Sequence, residues 1–131
     1  MTTQMVSPKL AIFVVYLATG FFVLYGLAFS LLPQFMLDLV TQGALAGPSA
    51  AIDFRATYGG MTLAVGFLIW YLHRSNQTRA ALIATIVVLM FMALTRTVGF
   101  IVDGAGNTLM YVYLVLELAG AALAYIALHK S

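Results

Sequence analysis

Cysteine is absent from this 131-residue chain, which removes disulfides, thiolate metal sites and cysteine nucleophiles. Charge is nearly as scarce: 8% of residues are Asp, Glu, Lys or Arg, against roughly a quarter in an ordinary soluble domain. The chain holds four acids and two histidines. His73 and His129 have no second histidine or acid at ligand spacing, so no metal site is expected. No serine–histidine–acid set, phosphate loop or haem motif is present, and no cofactor is implied. The net charge of +2 and pI near 9.1 come from basic residues that do not cluster, which excludes a nucleic-acid surface. No internal repeat or low-complexity tract interrupts the chain.

What the chain has in abundance is apolar surface. Hydrophobic residues make up 63% and the mean hydropathy is +1.04, so lipid is the expected solvent and the bilayer the first partner. Crossing the hydrocarbon core takes about 20 predominantly apolar residues per helix. Four stretches meet that length, at about residues 10–32, 51–72, 80–102 and 108–128. The expected fold is all-α, a four-transmembrane-helix bundle with short loops, in one membrane domain over residues 1–131. Pro33, Gly47-Pro48-Ser49, Arg74-Ser75-Asn76-Gln77 and Asp103-Gly104 read as the stops between spans. The first stretch exceeds the apolar core of about 7–15 residues in a signal peptide, so it reads as an uncleaved helix. Between the first two spans, residues 35–40 (Phe-Met-Leu-Asp-Leu-Val) read as either a short interfacial helix or an apolar loop.

The charges orient the spans. Lys9, Arg74, Arg79 and Lys130 fall on one side, whereas the opposite loops carry Asp38 and Asp103 and no base. The positive-inside rule then places both termini and the middle turn in the cytoplasm, with Trp70 and Tyr71 as an interfacial belt at that side.

Asp53, Arg55, Arg96, Asp103 and Glu117 remain, within or at the outer ends of the helices. A lone charge in hydrocarbon costs at least ~2.5–3.5 kcal/mol, so such groups pair and face inward. At ~1.5 Å per residue, Arg55 lies roughly 5 Å, Arg96 roughly 9 Å and Glu117 roughly 14 Å from the outer helix ends, within reach of an arginine side chain. Helical spacing sets Arg55, Gly59, Thr62 and Gly66 on one face, Arg96, Gly99 and Asp103 on another, and Tyr113, Glu117, Gly120, Ala121 and Ala124 on a third. Small residues beside a charge suit close helix packing in lipid, and Gly59, Gly60, Gly66, Gly99 and Gly120 are the expected packing glycines. Asp53 and Arg55, two apart, point in different directions. Two readings follow: an outward-opening polar pocket, or an interhelical ion-pair network that sets register and binds nothing. Asp103 before Gly104 is also ordinary turn chemistry. Met90, Phe91 and Met92 read as packing or lipid-facing residues.

The segment Arg55-Ala56-Thr57-Tyr58-Gly59-Gly60 resembles the R-A-x-Y-G-G motif of a family of small bacterial four-helix membrane proteins known as a domain of unknown function. Arg96 with Gly99, the Asp103-Gly104 turn and Glu117 continue the resemblance over roughly the whole chain. It implies a bacterial inner-membrane location and a shared polar cluster at Arg55, Tyr58, Arg96, Asp103 and Glu117, with no reaction attached.

Three functions stand open. The leading one is a non-enzymatic accessory or assembly subunit of a membrane complex, partnered by other membrane subunits or by its own copies. The second is a carrier or binder of a small anionic or lipid-like molecule, with Arg55 and Arg96 as clamp and Glu117 as coupling group. Small multidrug carriers keep a membrane-embedded acid in their first helix, and this first helix has none. The third is a lipid-active enzyme with Glu117 or Asp53 as base, for which Tyr58 and Tyr113 are the sole nearby nucleophiles.

Overall fold

A computed structural model describes residues 8–130 as helices joined by short turns, with no strand among the described residues. The order is α1 (Pro8–Leu31), α2 (Pro33–Thr41), α3 (Pro48–Phe54), a π-helical segment (Arg55–Met61), α4 (Thr62–Arg74), α5 (Thr78–Val102) and α6 (Thr108–His129). Three helices are long and apolar enough to cross a membrane: the stretches Lys9–Leu31, Thr78–Val102 and Thr108–His129. The expectation of four such helices is therefore corrected to three. The run expected over residues 51–72 divides into α3, the π segment and α4, so no single α-helix in it reaches spanning length.

The division has a local cause. In a π turn each carbonyl is paired one residue later than in an α turn, and such turns occur mostly as insertions within α-helices. Here the segment contains adjacent Gly59 and Gly60, which have no side chains to resist the wider turn, and the Thr57 hydroxyl donates back to the Asp53 carbonyl. Backbone dihedrals stay right-handed on both sides, with φ −62° and ψ −41° at Phe54 and φ −66° and ψ −39° at Thr62.

All three prolines begin helices instead of merely ending them: Pro8 opens α1, Pro33 opens α2 and Pro48 opens α3. A proline at the first helical position loses nothing, because that N–H has no intrahelical acceptor. Pro33 still stops α1, since Leu32 before it is held at φ −128° and ψ 55°, out of the helical region. The apolar segment after it is a helix, α2, and not an irregular loop. Gly47 has φ +128° and ψ −173°, a conformation open to glycine and closed to L side chains. At α6 the Asn107 side chain accepts from the Met110 N–H at 3.1 Å, a cap that contributes about 1 kcal/mol.

The chain divides into two compact units, Thr19–Leu68 and the residues on either side of it in sequence. In the flanking unit, α5 and α6 pack along each other. Its core is built largely from small residues, Ala81, Ala93, Ala121, Ala124 and Ala127, with Val15, Ile69 and Leu82. The Thr85 hydroxyl is spent on its own helix, donating to the Ala81 carbonyl at 2.9 Å. In the Thr19–Leu68 unit, Phe22, Phe29, Met36 and Val40 are buried, as are Gly26, Gly59 and Gly66. A Cβ on Gly26 would fall 2.8 Å from the Leu63 nitrogen, and one on Gly66 would fall 3.2 Å from the Val23 nitrogen. Backbone thus meets backbone there, which only glycine permits. Outward, large side chains such as Ile101 (79% exposed) and Leu24 (70%) stand uncovered around the helices. A soluble monomer rarely leaves an apolar patch beyond a few hundred Å² uncovered, whereas lipid accepts all of it.

Candidate functional site

The best-formed polar contact lies between α5 and α6. Arg96 approaches from the C-terminal part of α5 and Glu117 from the middle of α6. The Arg96 Nη2 donates to Glu117 Oε1 at 2.6 Å, and its Nε donates to Oε2 at 3.1 Å and Oε1 at 3.2 Å. This is a two-point fork, the strongest form of a carboxylate–guanidinium contact. Nη1 donates to the Met110 sulfur at 3.2 Å, and the guanidinium carbon lies 5.3 Å from the centre of the Tyr113 ring, within cation–π range. The carboxylate side chain is 5% exposed and the guanidinium side chain 20%. Ala121 and Ala124, on the glutamate's own face, are buried with it, and a Cβ on Gly120 would come 2.9 Å from Leu89 of α5. Small residues there let the two helices come close enough for the fork to close.

This pair is what the depth argument expects of Arg96 and Glu117. The rest of the expected cluster is distributed differently. Asp103 is exposed at the end of α5, where its N–H donates to the Gly99 carbonyl at 2.7 Å. Asp53 is exposed on α3, with its carbonyl engaged by Thr57. Tyr58 stacks on Phe54 at 4.3 Å and on Phe29 at 5.5 Å. Of the expected packing glycines, Gly59, Gly66 and Gly120 make close approaches. Gly60 has open space, with only the Arg55 carbonyl at 3.8 Å, and Gly99 meets only Asp103 at 3.8 Å.

Arg55 takes a role that the sequence does not announce. Its Nη1 donates to the Ser30 carbonyl, and more weakly to that of Leu31 at 3.4 Å. These are the last carbonyls of α1, freed because the helix breaks before Pro33. A cation there also opposes the negative end of the helix dipole. The signal missed was the break in α1 before Pro33, which frees the carbonyls that Arg55 meets. Gly26 was likewise missed, although it is the partner of the Gly59 stripe, for an added Cβ would lie 3.0 Å from the Gly59 carbonyl oxygen.

Beside Arg55 lies a cavity of about 690 Å³, open on its outer side, lined by residues including Leu31, Leu32, Phe35, Leu45 and Ala51. Among the described residues there is no group of three or more His, Asp or Glu side chains arranged to hold a metal ion.

The model of a family described as a domain of unknown function, DUF4345, matches residues 10–128. No curated protein and no solved structure gives a significant match to the chain.

Proposed function

The chain belongs to the DUF4345 family, and from that premise we propose that it is a non-enzymatic integral membrane protein, an accessory or assembly subunit of a larger complex in a bacterial inner membrane. The carrying observation is the closed Arg96–Glu117 fork. An acid that shuttles protons or attacks a substrate must be free to exchange partners, and Glu117 is buried with both oxygens held by one guanidinium. Such a pair sets the register of two helices. A carrier that used Glu117 for coupling would have to break this fork in every cycle. Tyr58, a candidate nucleophile, packs its ring with Phe29 and Phe54 and lies in the Thr19–Leu68 unit, whereas Glu117 lies in the other.

In this reading the chain crosses the bilayer four times, with the Pro48–Arg74 run as a fourth span. At ~1.5 Å per residue that run is roughly 40 Å long, enough for a ~30 Å core even with its π segment. The distribution of Lys9, Arg74, Arg79 and Lys130 puts both termini in the cytoplasm. A reporter that is active only in the cytoplasm is expected to work when fused after Lys130 and to fail when inserted at Gly104. The reverse pattern rejects this orientation, and activity at both sites rejects four crossings.

The subunit role is tested by native mass spectrometry of the protein extracted gently from its own membrane. The expected result is a foreign membrane protein present in fixed stoichiometry. Exchanging the charges, Arg96→Glu with Glu117→Arg, is expected to keep that complex, because the fork is preserved. A chain that always travels alone or only with its own copies defeats the accessory reading.

A further inference from the structure

The cavity beside Arg55 joins an incompletely satisfied cation to an apolar chamber. Among the described residues, no carboxylate makes an ion pair with Arg55, and its protein hydrogen bonds all run through Nη1 to the Ser30 and Leu31 carbonyls. A guanidinium carries five N–H donors in a planar fork. The Nε and Nη2 edge is therefore left over, and that edge is the one that grips phosphate or carboxylate at two points. The end of a helix supplies about half a negative charge, so it compensates the guanidinium only in part.

The chamber supplies the second half of the recognition. Its volume of about 690 Å³ is largely open on one side, so it suits a ligand that lies partly in the hollow and partly outside it, as a lipid does. Leu31, Leu32, Phe35 and Leu45 make most of its wall apolar, and it opens outward instead of closing over. Gln34 lines it too: its Oε1 accepts from the Leu45 N–H at 3.1 Å, leaving its amide N–H groups as further donors. The site sits where the apolar run of α1 ends at Pro33, which is headgroup depth for a helix that spans a bilayer. A free small anion would use the donors and leave the apolar wall wet. A neutral lipid tail would use the wall and leave the charge unanswered.

We infer that this cavity seats an anionic phospholipid, its phosphate on the free edge of Arg55 and the start of an acyl chain along Leu31, Leu32 and Phe35. The inference does not depend on the subunit role, because a lipid can bind with or without a partner protein.

The test is native mass spectrometry of delipidated protein titrated with phosphatidylglycerol and, separately, with phosphatidylcholine. One phosphatidylglycerol per chain is expected to remain bound, with phosphatidylcholine at least about tenfold weaker, because its choline cation offsets the phosphate charge and is repelled by the guanidinium. Arg55→Gln is expected to abolish the preference. Ala51→Phe projects a ring into the chamber where the acyl chain would lie and leaves the Arg55 contacts to α1 in place, so it separates loss of the site from loss of the fold; it is expected to lower phosphatidylglycerol occupancy by a similar factor. Inorganic phosphate in large excess is expected not to compete. Equal retention of the two lipids, or unchanged phosphatidylglycerol retention in Ala51→Phe, overturns the inference. Displacement by inorganic phosphate alone replaces the lipid site by a free-anion site and overturns it as well.

Discussion

Glu117→Leu is expected to lower the unfolding free energy by about 3–5 kcal/mol, because it strands Arg96 beside a partner that no longer accepts its protons. The cost of a lone charge in hydrocarbon, at least ~2.5–3.5 kcal/mol, leads independently to the same range. Arg96→Leu should cost a comparable amount by leaving Glu117, 4% exposed, without its two-point partner. Removing both together, Arg96→Leu with Glu117→Leu, is expected to be close to neutral, since the desolvation cost disappears with the attraction. Reversible unfolding of the four proteins in mixed micelles measures the coupling directly as a double-mutant cycle. If each single variant loses less than about 1 kcal/mol, the fork is a surface-grade contact and not a register lock.

Adjacent glycines are expected to respond with opposite signs. A Cβ on Gly59 would lie 2.9 Å from the Ser30 nitrogen and 3.0 Å from its Cα, and neither atom can swing aside because both are backbone. Gly59→Ala should therefore push the π segment off α1 and cost about 1–3 kcal/mol, the usual range for overpacking. Gly60 has its nearest neighbour at 3.8 Å, so Gly60→Ala meets no obstacle. It should stabilise by up to about 1 kcal/mol, because alanine restricts the unfolded chain and favours helix. Both are read from the same unfolding experiment. Equal effects at the two positions would mean that this close approach does not exist in the membrane.

Much of the fold was legible in local sequence. Three of the four apolar stretches appear as uninterrupted helices within about two residues of their expected ends, and the chain belongs to a family of unknown function, as the resemblance implies. The fourth stretch was legible as helix but not as a regular one. Grouping Arg55, Gly59, Thr62 and Gly66 on one face assumed 3.6 residues per turn throughout. A π segment over Arg55–Met61 winds more slowly, yet Arg55 and Gly59 both meet Ser30 of α1 and Gly66 comes against Val23, so these three still face α1. Nothing in the composition of that segment marks the change unambiguously, since two adjacent glycines allow a wide turn without demanding it.

The split between sequence and tertiary structure follows from the kind of quantity involved. Hydropathy, span length, charge bias and proline position are sums over neighbouring residues, so the sequence alone determined that this is a helical chain suited to lipid, and where its long helices lie. Which charge meets which group depends on the rotation and depth of two helices relative to each other, and a single widened turn or proline break resets both. Arg96 and Glu117 lie on regular helices, so their meeting could be anticipated from depth. Arg55 lies on the irregular one, and only the tertiary structure placed it on the carbonyls of α1 at the rim of an apolar cavity.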